Sequence, residues 1–182
     1  MKPSQTEGDL NTLTKQMLSK ILIASPERIY IYDVREQRNI FSNRTLAKFL
    51  GFPPEQKREM GTEDFQIVIH PEDAPRLDEH YRTIAESKAQ GVFEIEYRVK
   101  DAIGNWHWLH TRAVPFSRDE NGNVTQVLGI TSDVTKERNA DEELRQSQSM
   151  LSQVLDSVPQ SIAWKDQNGV YMGCNWLFSR QV

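Results

Sequence analysis

The sequence predicts an α+β fold built around an antiparallel sheet, and two observations carry that prediction. Between Gly91 and Thr135 three runs read as strands and are separated by turn signals. On either side lie segments whose apolar residues recur at helical spacing. In the first run Phe93, Ile95, Tyr97 and Val99 share one face while Glu94, Glu96, Arg98 and Lys100 share the other, the period-two pattern of a half-buried strand. The second run, Trp106 to Phe116, puts Leu109, Thr111 and Ala113 on one side and Trp106, Trp108, His110 and Arg112 on the other. The third, Val124 to Asp133, aligns Val127, Gly129 and Thr131. Asp101 to Asn105, around Gly104, and Asp119 to Asn123, with a strong Asn-Gly signal, supply the turns. Inward side chains that are partly small or polar predict a sheet face with room against it.

The other elements follow in chain order. Met1 to Asp9 is polar and reads as frayed, and Leu10 to Ile23 sets Leu13, Met17, Leu18 and Ile21 on one helical face before Ser25-Pro26 stops it. Arg28 to Asp33 and Asn39 to Ser42 read as strands. A helix over Asn43 to Leu50 takes Asn43 as its N-cap and Gly51 as its stop. Phe52-Pro-Pro-Glu opens another short helix, and Phe65, Ile67, Val68 and Ile69 form an apolar patch. Asp73 can cap a longer helix with Pro75 in its first turn, Leu77, Tyr81 and Ile84 facing inward, and Gly91 at its end. After the meander a helix runs from Thr135 to Val158, about 24 residues or roughly 36 Å at 1.5 Å per residue. Its heptad positions are Ala140, Leu144, Ser147, Leu151, Val154 and Val158. A two-stranded coiled coil fits them better than a packed surface helix, because a domain of about 110 residues cannot cover a helix this long.

The order Arg98-Val-Lys-Asp-Ala-Ile-Gly104, Trp108-Leu-His-Thr-Arg-Ala-Val-Pro115, Asp119-Glu-Asn-Gly122 and Leu128-Gly-Ile-Thr-Ser-Asp-Val-Thr135 resembles the C-terminal half of a PAS sensor domain. His70-Pro-Glu-Asp73 upstream fits the same subgroup. No single piece is specific; their order and spacing are. The resemblance implies a five-stranded antiparallel sheet with helices on one face and a cleft between them, flanked here by the N-terminal helix and a C-terminal signalling helix. Inward alternation then places Tyr81, Ile84, Tyr97, Leu109, Thr111, Val127 and Thr131 on the cleft wall, apolar with a few hydroxyls to orient a ligand. Resembling proteins relay signals through an Asp-Val-Thr junction, which gives that role to Asp133 and Thr135. It also implies a sensory module whose output enzyme, a histidine kinase or a diguanylate cyclase, lies outside this segment.

Composition limits the alternatives. Of 182 residues, 37% are hydrophobic and 26% charged, as in an ordinary globular chain. A formal net charge of -4 without clustered Lys and Arg argues against nucleic acid or an anionic membrane surface as partner. There is no apolar run of about eighteen residues and no signal-peptide pattern, so a cytoplasmic location without membrane insertion is expected. Cys174 is the single cysteine, which excludes an internal disulfide; it reads as a small buried or half-buried hydrophobe. No Gly-rich phosphate loop, Gly-x-Ser-x-Gly elbow or His-Glu-x-x-His pair occurs, so no catalysis is expected in this segment. Among the histidines, His70 precedes a proline at a helix entry, and His107 and His110 lie on opposite faces of one strand. His80 is the one to weigh, because haem-binding PAS domains take an axial ligand from that helix. Its surroundings do not match that subgroup, so no cofactor is expected; haem or an unidentified small molecule is the alternative.

One pattern occurs twice. Ile21-Leu22, Pro26, Ile29 and Asp33 reappear 133 residues later as Val154-Leu155, Pro159, Ile162 and Asp166, and Asn43 recurs as Asn175. The expected organisation is a tail and amphipathic helix (1–25), a PAS domain (26–134), a linker helix (135–158) and the truncated start of a second PAS domain (159–182). That last stub lacks the strands it would pair with and is expected to be poorly ordered or to borrow a partner's edge. A parallel homodimer is expected through Leu13, Met17 and Ile21 on the first helix and Leu144, Leu151 and Val154 on the last. The competing function is a ligand-free interaction and dimerisation module.

Overall fold

The protein is described by a computed structural model that covers residues 5–52 and 67–180, with side chains from Thr12 onward. The helix expected after Phe52, and Phe65, lie outside the described residues. The chain divides into two units, Met1–Thr135 and Lys136–Val182.

In the first unit α1 (Gln5–Ala24) leads to β1 (Arg28–Asp33) and β2 (Arg38–Ser42), then to α2 (Leu46–Phe49) and α3 (Ala74–Glu86). The meander follows as β3 (Phe93–Lys100), β4 (Trp106–Arg118) and β5 (Val124–Asp133). These strands form one antiparallel sheet in the order β2-β1-β5-β4-β3, so the first strand is paired with the last. The predicted alternation holds: Ile95, Tyr97 and Val99 on β3, Leu109, Thr111 and Ala113 on β4, and Val127 and Thr131 on β5 are buried on the face that α3 covers with Leu77 and Ile84. The core has two parts, one around Leu50, Ile69, Leu77, Val99 and Leu109 and one around Ile84, Ala113, Val124 and Val127. Tyr81 packs against both.

Local hydrogen bonds set the turns. Asp101 Oδ1 accepts from the backbone N–H groups of Ile103 and Asn105, and Asp119 Oδ1 accepts from those of Asn121 and Asn123. Gly104 and Gly122 take the left-handed backbone that closes each loop. The Asn-Gly pair is therefore not a two-residue primed turn, which needs φ > 0 at both central residues; Asn121 does not have it. The aspartate supplies the closure instead.

Two expected helix caps have other work. Thr45 caps α2 by accepting from the Lys48 N–H at 3.2 Å. Asn43 instead fastens the end of α1 to the start of β1: its Nδ2 donates to the carbonyls of Leu22 (2.9 Å) and Glu27 (3.0 Å), and its Oδ1 accepts from the Ile29 N–H (2.8 Å). Asp73 makes no side-chain cap on α3. Its buried carboxylate turns to β3, where it accepts from Arg98 N–H (2.9 Å), Nε (2.8 Å) and Nη2 (3.1 Å). α3 ends at Glu86, ahead of Gly91, and Ser87 serves as its C-cap.

In the second unit α4 (Thr135–Ser157, its first residue still in unit one) is followed by β6 (Ala163–Lys165), β7 (Tyr171–Cys174) and α5 (Trp176–Ser179). β6 and β7 form a hairpin of their own, contrary to the expected poor order or borrowed edge. The reason is local: Asp166 Oδ1 accepts from the Asn168 and Val170 N–H groups, the third use of the same turn. Asn175 repeats the Asn43 latch, donating to Leu155 and Gln160 carbonyls and accepting from the Ile162 N–H. Cys174 is exposed, not the half-buried hydrophobe expected, because a two-stranded sheet leaves a face uncovered.

Candidate ligand cleft and helix junction

The inner sheet face is apolar at its edges and polar along one line. Thr111 on β4 and Thr131 on β5 are directly paired across the strands, and their hydroxyls lie 2.7 Å apart. Tyr97 on β3 extends the line with its hydroxyl 3.2 Å from Thr111 Oγ1. On β1, Tyr30 lies across Gly129, which has no Cβ to meet its ring, and its hydroxyl is 2.6 Å from that of Tyr81 on α3. Burial pushes the Tyr97 phenol up to about 12 and, helped by nearby Tyr30, pushes Tyr81 well above the ordinary value. Both stay neutral and can donate. All seven residues expected on the cleft wall, Tyr81, Ile84, Tyr97, Leu109, Thr111, Val127 and Thr131, thus lie between the sheet and α3. Arg28 and Tyr30 join them and were absent from the sequence-derived set. The available signal was β1's alternation of Arg28, Tyr30 and Tyr32 against Ile29 and Ile31.

The same inner row on β5 continues from Thr131 to Asp133, at the start of α4. Asp133 Oδ1 accepts from the Thr135 N–H (2.9 Å) and from its hydroxyl. Thr135 Oγ1 in turn accepts from the Trp108 N–H (2.8 Å), and Val134 N–H donates to the Trp108 carbonyl (2.9 Å). Asp133 Oδ2 meets His107 Nδ1 at 2.7 Å, and His107 Nε2 meets Asp101 Oδ2 at 3.1 Å. Carboxylates only accept, so a ring held at both nitrogens carries two protons. Burial works against that charge, but Asp133 and Asp101 outweigh it and raise the His107 pKa. Burial likewise opposes the Asp133 charge, while the bonds from Thr135 and His107 hold its carboxyl below the usual range. The entry of α4 is therefore braced to β4 and to the β3–β4 turn.

The profile of the family described as PAS fold matches residues 39–131, the stretch that holds most of this sheet and α3. The chain belongs to the PAS family. Similar full-length proteins include the two-component sensor PprA of Pseudomonas aeruginosa, 24% identical over 147 residues, covering 78% of this chain and 15% of the relative. The probable diguanylate cyclase DgcE of Escherichia coli is 25% identical over 156 residues, covering 85% of this chain and 14% of the relative. The chain thus spans less than a sixth of either protein. A sensory box histidine kinase/response regulator structure from Burkholderia thailandensis has the same fold, with a TM-score of 0.58 and 18% identity over 75% of this chain and 98% of that one.

His80 of this PAS domain has its Nε2 buried without a hydrogen-bond partner, and burial lowers its pKa. The open groove beside it is lined by Arg76, Glu79, Thr83 and Glu94 together with Pro75 and Ile95. Three of the seven residues that line it, Arg76, Glu79 and Glu94, are charged. On the outer face the tryptophans are engaged by their own chain. Arg98 lies over Trp108 at 5.3 Å, and Lys100 (4.8 Å) and His70 (4.7 Å) lie over Trp106. No helix among the described residues is long and apolar enough to cross a membrane.

Proposed function

We propose that this chain is the sensory module of a larger signalling protein, in which a ligand or partner at the inner face shifts β4 and β5 and α4 carries the shift to an output domain in cis. The observation that supports this is that the Thr111–Thr131 pair and the Asp133–Thr135 junction with its Trp108 bond sit on the same two paired strands, β4 and β5. A displacement of β5 against β4 has to strain or break the Trp108–Thr135 brace, and the first turn of α4 starts there. The output is a histidine kinase or a diguanylate cyclase, in keeping with the relatives, and the protein works in the cytoplasm. Residues 159–182 are the beginning of a second PAS domain, and the Asn175 latch supports that reading.

The working form is a parallel homodimer. Leu13, Met17 and Ile21 on α1 and Leu144, Leu151 and Val154 on α4 are each more than half exposed, and each stripe is an apolar cost unless another chain covers it. The same exposure favours a second reading, a pure interaction module with no ligand. A spin label at Gln148→Cys in a Cys174→Ser chain separates them. The sensory reading gives one short intermolecular distance that changes when Thr111→Val is introduced. An unchanged distance supports the interaction module, and no intermolecular distance sinks the dimer.

A further inference from the structure

Arg28 and Asp73 are the buried charged residues among those described, and they differ in one respect. Asp73 is saturated by Arg98. Arg28, at 7% exposure, has no ion pair among the described residues, and its Nε has no hydrogen-bond partner. Its guanidinium carbon lies 4.4 Å from the centre of the Tyr30 ring, and its charge also reaches the Tyr81 and Tyr97 phenols. An arginine cannot shed its proton, and a buried charge is costly unless an opposite charge or several acceptors meet it. Aromatic contact offsets part of that cost and uses none of the five N–H donors.

The hydroxyls near Arg28, those of Tyr30 and Tyr81 and that of its strand partner Thr131, carry no negative charge. Tyr30 and Tyr81 share one hydrogen bond, which uses one of their two hydroxyl protons. Beyond them Ile84, Ala113 and Val127, all fully buried, form an apolar wall beside the Thr111–Thr131 hydroxyl pair. From this we infer that the inner face binds a small monocarboxylic acid, its carboxylate at the meeting of Arg28, Tyr30 and Tyr81 and its hydrocarbon part along the apolar wall. A single cation matches a monoanion; a phosphate dianion would call for a second. The inference rests on the sensory reading, since it names the ligand of that module.

Calorimetric titration of the 182-residue chain with butyrate, hexanoate and octanoate tests it, with hexanamide and hexylamine as neutral and cationic controls. The carboxylates bind, and hexanamide binds at least about tenfold more weakly, the weight of a hydrogen bond to a charged group. Arg28→Met loses carboxylate affinity by a similar factor, and Arg28→Lys, which keeps the charge without the planar fork, falls between. Should Arg28→Met fail to fold by circular dichroism, the Arg28→Lys and hexanamide comparisons still decide. Equal affinity for hexanamide, unchanged affinity in the Arg28 variants, or no binding of the series at millimolar concentration overturns the assignment. Hydrogen exchange of Thr135 to Ala140, read in the same samples, separates the two layers. Carboxylate binding that leaves this exchange unchanged keeps the site and removes the relay; a change produced by hexanamide alone keeps the relay and removes the site.

Discussion

Replacing Thr111 and Thr131 with valine, singly and together, measures the polar line at the centre of the domain. The two hydroxyls are 2.7 Å apart, and both residues are essentially without exposure. Thr111→Val keeps the shape but leaves the Thr131 hydroxyl without this bond, and it removes one of the contacts of the Tyr97 hydroxyl, at 3.2 Å. A buried hydroxyl that loses its partner costs about 1–3 kcal/mol, whereas replacing both partners with apolar groups of the same shape is close to neutral. Thr111→Val should therefore lose about 2 kcal/mol and Thr131→Val less, because Thr111 keeps its Tyr97 partner; the double variant should lose no more than Thr111→Val alone, so that the cost of Thr131→Val vanishes in that background. Urea unfolding with an unchanged m-value reads these differences. Single variants that cost nothing, or a double that costs the sum, would refute the hydrogen-bonded pair as a unit.

Gly129→Ala should destabilise by about 1–3 kcal/mol, because the new Cβ overlaps the Tyr30 ring and the Tyr30–Tyr81 hydrogen bond has to break to relieve it. Thermal unfolding checks this, and Tyr30→Phe should not rescue it while Tyr30→Ala should in part. His107 gives a pH signature. Its raised pKa stabilises the fold below the unfolded value of 6.5, and that contribution is lost as pH rises through the folded value. The lowered pKa of Asp133 contributes above 3.8 and is lost as pH falls through its folded value. The stability gap between the unmodified chain and His107→Gln should therefore be widest between those limits and shrink above them; a gap flat to pH 9 would contradict the clamp. Leu144→Lys with Leu151→Lys should convert a dimer at tens of micromolar into a monomer with unchanged circular dichroism in the sheet region. Sedimentation that shows a monomer for the unmodified chain would remove the dimer.

What the sequence revealed and what it hid follow one physical division. The strands were readable because burial on one face forces period two, and Phe93 to Val99 and Leu109 to Ala113 keep that period without interruption. Leu77, Tyr81 and Ile84 were readable as the inner stripe of α3 for the corresponding helical reason. Hydrogen bonds between distant segments were not readable. Asn43 before a helical run and Asp73 before Pro75 carry the local signature of a cap, while their real partners, Leu22, Glu27 and Arg98, lie across the fold. The repeat held a usable clue, since Leu22 and Asn43 recur as Leu155 and Asn175 in the same bonds. Arg28 was hidden by a sound rule: arginines are almost always exposed or paired, so a sequence gives no reason to turn one inward.

The central claim is that strain on the inner face reaches α4 through the Thr135 brace, and hydrogen exchange at Thr135 to Ala140 tests it most directly. Thr111→Val should change the exchange of these amides by several-fold, and Thr135→Val, which removes the acceptor of the Trp108 N–H, should abolish that difference. Exchange that ignores Thr111→Val, or a response that persists undiminished in the Thr135→Val background, would contradict the account.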